Sequence, residues 1–238
     1  MRFDKLAAIT GGRLCNRAHA TKVFTGVSID SRTIRTGELF FAIRGHKHDG
    51  HNFIAQAVDN GAGGIVAEYT PNIGDVSGKV PVVTVHNSHE AMITLAKKYR
   101  ETSTARFVAI TGSNGKTTTK ELAVRLVKAV EDRVYGSPGN LNNLYGAPLA
   151  LFVMPAETKV AIMEMGISTP GEMTRLAQIV QPEIALITNV GPSHLEFLHS
   201  VEEVAQAKLE LVKALSQDIP VILNADDAVL MSEAKKIR

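Results

Sequence analysis

Residues Phe107 to Thr119 read FVAITGSNGKTTT, and this stretch decides the fold. Phe107, Val108, Ala109 and Ile110 form a short run without charge, the pattern of a strand buried on both faces. The run passes into Thr111-Gly112-Ser113-Asn114-Gly115-Lys116-Thr117, and a helical pattern follows through Lys120, Glu121, Leu122, Ala123, Leu126 and Val127. A strand, a glycine turn and a helix start gather several backbone N–H groups around one point, with the positive end of the helix dipole behind them. Such a turn cradles an anion. Lys116 adds a full positive charge suited to outer phosphates, and the Thr117 hydroxyl is placed to hold a magnesium ion. The spacing is the short form G-x-x-G-K-T, because Ile110 stands five positions before Gly115. The plain alternative is a turn that merely joins strand to helix; a lysine and a hydroxyl at the helix start argue against it.

Outward from this stretch, the alternation of strands and helices after Phe107 predicts an α/β domain with a mainly parallel sheet. Strands are expected at Val134-Tyr135, Val160 to Met163, Ile184 to Val190 and Val221 to Asn224. Thr169-Pro170-Gly171-Glu172 reads as a helix opening with Thr169 as N-cap, and Ser200-Val201-Glu202-Glu203 as a capping box. Residues 1–103 read as a separate small α/β unit. Its strands are expected at Val27 to Asp30, Leu39 to Ile43, Gly64 to Ala67 and Val80 to Val85, and its helices near Phe53 and from Ser88 to Arg100. The polar run Glu101 to Ala105 reads as a linker.

Composition bounds the function. A chain of 238 residues with 45% hydrophobic and 21% charged residues is an ordinary globular protein of one or two domains. A formal charge of +2, with no basic run, argues against nucleic acid. The single cysteine, Cys15, excludes an internal disulfide and fits a reducing compartment. No apolar segment reaches membrane-spanning length and no charged-then-apolar leader opens the sequence, so the cytoplasm is the expected location. A monomer is the expected state.

Ligands of open α/β sheets bind at the carboxyl ends of the strands. Glu164, His194 and Asn224 with Asp226-Asp227 fall at or after such ends. Glu164 reads either as a magnesium ligand or as a surface glutamate, and His194 as a ligand or a structural histidine. Lys208 lies inside or beside the apolar stripe Val201, Val204, Ala205, Leu209, Val212, Leu215. It either snorkels outward or is held in, where desolvation favours the neutral amine that carbon dioxide can carbamylate. In the first unit, Asp30-Ser31-Arg32 and the loop from Arg44 to His51 are rich in polar groups. Turn chemistry and a pocket for a polar, anionic ligand both fit them.

With these residues in view, the chain resembles the Mur ligases, the amide-bond-forming enzymes of peptidoglycan synthesis. The motifs are DSR, GELFFAIRG and DGHNF in the first unit, then TGSNGKTTTKE, GNLNN, EMG, TNVGPSHLE, AQAKLEL and NADD. The resemblance implies a UDP-sugar-binding domain over 1–103 and a P-loop ATPase domain over 106–238. The family continues past the NADD motif, so the second domain reads as incomplete. A glycine is expected near Leu198 or His199. The resemblance also implies roles. Thr111, Gly112, Ser113, Asn114, Gly115, Lys116 and Thr117, with Asn224, would hold ATP. Thr117 and Glu164 would bind one Mg²⁺, and His194 with a carbamylated Lys208 a second. Lys116, Glu164, His194 and Lys208 would form the catalytic set. Asn140 and Asn142 would line the muramoyl-peptide side, and Ser31, Arg32, Gly45, Asp49 and His51 would hold the uridine diphosphate end. The closest pattern within the family joins D-alanyl-D-alanine to UDP-N-acetylmuramoyl-tripeptide through an acyl phosphate. A non-catalytic nucleotide-binding module and a sister ligase with another incoming amino acid are the competing readings.

Overall fold

The computed structural model describes residues 1–45, 47–68, 76–193 and 195–237. They divide into two compact units, Met1–Lys98 and Tyr99–Arg238. Helix α3, which runs Ser88–Thr102, carries the chain through that division, so the polar run after Arg100 starts inside a helix.

The first unit contains α1 (Phe3–Thr10), β1 (Arg13–Leu14), β2 (Val27–Ser28), β3 (Leu39–Phe41), α2 (Ile54–Asp59), β4 (Gly64–Glu68) and β5 (Val82–Val85) before α3. Its sheet has the order β1-β5-β4-β3-β2. β1 is antiparallel to β5 and the other pairs are parallel. Phe40, Ile65 and Val82 pack with Ile54 and Ala57 into one apolar cluster. β2, β3 and β5 are shorter than the runs that announce them, whereas β4 extends one residue further, to Glu68.

The second unit contains β6 (Arg106–Thr111), α4 (Lys116–Lys128), β7 (Val134–Gly136), α5 (Gly146–Phe152), β8 (Val160–Glu164), α6 (Glu172–Val180), β9 (Ile184–Ile187), α7 (Leu195–Leu198), α8 (Val201–Ala214), β10 (Val221–Leu223) and α9 (Ala228–Ala234). The sheet order is β10-β9-β6-β8-β7 and every pair is parallel. β6 lies at the centre with Phe107, Ala109 and Ile110 fully buried. All five carboxyl ends therefore share one edge, and β6, with β8 on one side and β9 on the other, sits where a crevice opens.

Some elements depart from expectation. α5 reads GAPLALF, and its proline masks a helix that tolerates Pro148 in the first turn, where no N–H is needed. α6 starts at Glu172 instead of Pro170. The Glu172 carboxylate reaches back to accept from the N–H of Ser168 and Thr169, as a capping box requires. Glu210 of α8, in place of Thr169, caps the other amides by accepting from Gly171 N and Thr174 N. The Arg100 guanidinium closes the far end of α6, donating to Val180 O at 2.8 Å and Gln181 O at 2.9 Å while it lies 3.8 Å over the Phe107 ring. At α8 the Ser200 hydroxyl caps Glu203 N at 3.1 Å, as its sequence predicts. His199, where a glycine is expected, has φ 36°, in the left-handed region that favours glycine. α4 inverts its expected polarity: Lys120 is 2% exposed, whereas Leu122 and Leu126 are 54% and 74% exposed.

Candidate nucleotide site

The turn from β6 to α4 has glycine at two positions for different reasons. A Cβ on Gly112 would stand 1.9 Å from the Thr188 hydroxyl, so the close approach of the β9 end requires its absence. Gly115 has φ 77° and open space around it, so its requirement is conformational. The turn is braced from β9. Ser113 N donates to Asn189 O at 3.0 Å, and Asn114 N donates to Asn189 Oδ1 at 2.9 Å. The Asn189 amide and the Thr188 hydroxyl both donate to Asn114 O, at 3.2 and 2.6 Å. The Ser113 hydroxyl pairs with the backbone of Gly191 at 3.0 Å in both directions. The amides of Ser113 and Asn114 are thus used within the protein. Those of Lys116, Thr117 and Thr118, in the first turn of α4, have no helical carbonyl to satisfy them and suit an incoming anion. Lys116 curls back over the turn and donates to Gly112 O at 2.7 Å, which keeps its ammonium above the cradle.

Glu164 closes the adjacent side. It is 3% exposed, which rules out the surface reading. Thr117 Oγ1 donates to its Oε2 at 2.8 Å, and Asn142 Nδ2 donates to its Oε1 at 2.9 Å. Its backbone N–H donates to Ser137 Oγ at 2.9 Å, which ties the end of β8 to the residue following β7. Among the described residues there is no cluster of three or more His, Cys, Asp or Glu side chains able to hold a metal. Magnesium needs none: one carboxylate with a hydroxyl, phosphate oxygens and water is its usual environment. Thr117 and Glu164, both hard oxygen donors beside the cradle, fit it.

Two cavities meet at Lys116 and Asn142. The larger, about 480 Å³, is lined by the turn with Thr117, Asn140 and Glu164. The smaller, about 220 Å³, is lined by Gly166, Ser168, Ser193 and Lys208. Lys208 is 3% exposed on α8, so it is held in and does not snorkel. Burial, helped by the charge of Lys116, pulls its pKa down to about 8. His194 lies outside the described residues. Asn224 follows β10 on the same sheet edge, with its Oδ1 accepting from Asp226 N at 3.1 Å, and it lines neither cavity. Asp227 caps α9 through Leu230 N and accepts from Val190 N at 2.6 Å.

The polar residues singled out in the first unit bond mainly to one another. Ser31 Oγ donates to Gln56 Oε1 at 2.8 Å. Arg32 forks onto Asp30, whose carboxyl it holds below the usual range. Gly45 N donates to His48 O at 2.9 Å. His51 Nδ1 lies 2.6 Å from Asp49 Oδ1, and His51 Nε2 accepts from Glu68 N at 2.9 Å. Both ring nitrogens of His51 are thus engaged within the protein. The Asp49 and His51 side chains therefore clasp the loop; Arg32, whose side chain is 78% exposed, keeps donors for an anion.

Asn189 and Ser137 are the positions sequence reasoning passed over. Both follow strands on the edge that carries Lys116, Ser137 after the half-buried β7 and Asn189 after β9, and that placement was the available signal. Asn189→Asp keeps the acceptor for Asn114 N but turns a negative oxygen toward Asn114 O and the cradle. We expect it to weaken Mg²⁺-nucleotide affinity by about tenfold in calorimetry, the cost of one lost hydrogen bond plus repulsion between the new charge and the phosphates. Unchanged affinity would remove Asn189 from the site.

Residues 110–238 match the Mur ligase middle domain, and residues 23–100 match the Mur ligase family, catalytic domain. A UDP-N-acetylmuramoyl-tripeptide–D-alanyl-D-alanine ligase from Rickettsia prowazekii (strain Madrid E) is 41% identical over 201 residues, covering 84% of this chain and 44% of the relative. The ligase of the same name from Bacillus subtilis (strain 168) is 35% identical over 227 residues, covering 95% and 49%. Among solved structures, MurF from Acinetobacter baumannii superposes with a TM-score of 0.85 at 29% identity, covering 98% of this chain and 51% of that one. The MurF ligase of Thermotoga maritima in complex with ADP gives 0.79 at 33% identity, covering 90% and 48%. The chain spans about half the length of the curated relatives it matches.

Proposed function

The chain belongs to the Mur ligase family, and from that premise we propose that it forms the nucleotide-binding and UDP-sugar-binding part of an ATP-dependent ligase. The reaction is the joining of D-alanyl-D-alanine to UDP-N-acetylmuramoyl-tripeptide in the cytoplasm. The incoming dipeptide is favoured over another amino acid because the curated relatives from Rickettsia, Bacillus and Treponema all carry that name. The observation that carries the reading is the contact of Thr117 with Glu164 beside Lys116, at the mouth of an amide-lined turn.

A peptide carboxylate is a poor electrophile and must be activated before an amine can attack it. Transfer of the γ-phosphoryl group from ATP to that carboxylate leaves ADP and an acyl phosphate. The amine of D-alanyl-D-alanine then attacks the acyl carbon, phosphate leaves with the bonding pair, and the amine gives up a proton. The chain's part is to hold two anions against one another. The amides at the start of α4 and the Lys116 ammonium take the β- and γ-phosphates. Thr117 and Glu164 would hold Mg²⁺, which when bound offsets phosphate charge. Asn142 orients Glu164 and, with Asn140, borders the side from which the muramoyl-peptide carboxylate approaches. Neutral Lys208 would take up carbon dioxide, releasing a proton and forming a carbamate that serves a second Mg²⁺ with His194. The exposed Arg32 and the loop from Gly45 would meet the uridine diphosphate.

The half-length span gives one competing reading, a binding module without turnover. Calorimetry with Mg²⁺ and ADP, followed by phosphate release from ATP, separates the two. We expect an affinity of about 1 μM to 1 mM, the range of working enzymes, with release weak or absent in this chain; in a chain extended to the relatives' full length, release should require both UDP-N-acetylmuramoyl-tripeptide and D-alanyl-D-alanine. Binding without release in the extended chain supports the module. No nucleotide binding ends both readings.

A further inference from the structure

Lys120 is a charged side chain whose position neither the cradle nor the core explains. It is 2% exposed, one helical turn after Lys116 on α4. Its ammonium donates to Ser137 O at 2.7 Å and lies 3.1 Å from Glu121 Oε1. The Glu121 side chain is 57% exposed. A pair of that kind on a surface contributes little and does not require the ammonium to be buried. Taking a cation out of water costs several kcal/mol unless strong acceptors replace the water. The buried acceptor is a single backbone carbonyl, so the location of that carbonyl is what the lysine serves.

Ser137 is a junction. Its N–H donates to Ile162 O at 2.9 Å and its hydroxyl accepts from Glu164 N at 2.9 Å, so it clamps the end of β8. The chain then turns through Gly139, with φ 48°, to Asn142, whose side chain donates to Glu164 and whose carbonyl accepts from Gly166 N at 2.8 Å. The Glu164 carboxylate is held by Thr117 on one oxygen and Asn142 on the other, and Ser137 bears on it in two ways, through the Glu164 backbone and through the loop that carries Asn142. We propose that Lys120 is a positioning residue for the phosphate and metal site: its ammonium pins Ser137, and through Ser137 it aims the Glu164 carboxylate and the loop carrying Asn140 and Asn142. This rests on the nucleotide reading above. α4 then acts twice, with Lys116 on the ligand side of the turn and Lys120 fixing the opposite wall.

The test compares nucleotide affinity with Mg²⁺ and with EDTA, using ADP as the probe, for the wild-type chain, Lys120→Met, Lys120→Arg and Ser137→Ala. Thermal unfolding is recorded alongside. Lys120→Met is expected to reduce the Mg²⁺-dependent gain in affinity by about tenfold, while the affinity in EDTA changes by less than about threefold. Lys120→Arg, which keeps the charge and the donor, should restore most of the gain. Ser137→Ala breaks the bond to Glu164 N and should reproduce part of the loss. A wild-type Mg²⁺ dependence in Lys120→Met overturns the proposal, as does a parallel loss in both conditions, which marks a merely structural lysine. Should Lys120→Met fail to fold, Ser137→Ala decides: a reduced gain supports the proposal and an unchanged one overturns it. A wild-type chain that binds no nucleotide refutes the proposed function itself, a result distinct from either.

Discussion

Lys116→Met is expected to weaken Mg²⁺-ADP binding by about a hundredfold and to slow phosphoryl transfer by about a thousandfold, with the fold intact. Methionine keeps the stem that packs beside the turn and removes only the charge and its donors. In the structure the ammonium rests on Gly112 O, an acceptor from its own turn, so its loss unpairs no side chain elsewhere. The amides at the start of α4 would still face the phosphates, which is why binding should weaken instead of vanishing. The larger effect falls on transfer, where charge on the migrating phosphoryl group shifts toward the leaving oxygen and a fixed cation gains most. Calorimetry and a single-turnover assay measure the two losses separately. Equal losses in both would mean that Lys116 contributes uniform binding, and no loss in either would remove the cradle as the nucleotide site.

What the sequence disclosed follows from how local each signal is. The strand, glycine turn and helix around Lys116 are contiguous, and each residue's preference agrees with its neighbours', so the stretch is legible alone. Glu164 and Asn189 needed one further rule, that parallel strands end on a common edge, and only Glu164 received it. Lys120 could not have been found by pattern. Lys120 lies on the inward face of α4 and donates to Ser137 O, seventeen residues away, while the apolar Leu122 and Leu126 are exposed, a contact between distant residues that no local pattern encodes. In the first unit the difficulty was different. Ser31, Asp49 and His51 are the residue types of a polar pocket and equally those of a polar clasp, and only their mutual distances show that they bond inward. Lys208 is the intermediate case, since the stripe marked it as anomalous but left its direction open.

That direction has a measurable consequence. Lys208 carries a pKa near 8 in the folded chain against an ordinary 10.5, because its ammonium is buried and faces the charge of Lys116. Below pH 8 the amine is protonated whether the chain is folded or not, and the folded state bears the whole cost of a buried cation. From pH 8 to 10.5 the folded chain has released the proton and the unfolded chain still holds it, so unfolding takes up a proton and stability rises with pH through this window. Lys208→Met should therefore be more stable than wild type at pH 7, by on the order of 2–3 kcal/mol in CO₂-free buffer, with the difference shrinking as pH approaches 10.5. On the proposed role of a Lys208 carbamate, the same variant should lose phosphoryl transfer by about a hundredfold or more. Added bicarbonate should raise the wild-type rate and leave the variant unmoved. Lys116→Met gives an independent check: removing the facing charge should raise the Lys208 pKa in the folded chain and narrow the window from its lower end. A Lys208→Met chain that is less stable at pH 7, or that keeps the wild-type slope between pH 8 and 10.5, would show that the amine is solvated after all. The pH profile of unfolding therefore reads directly what it costs the fold to hold this amine as a buried cation.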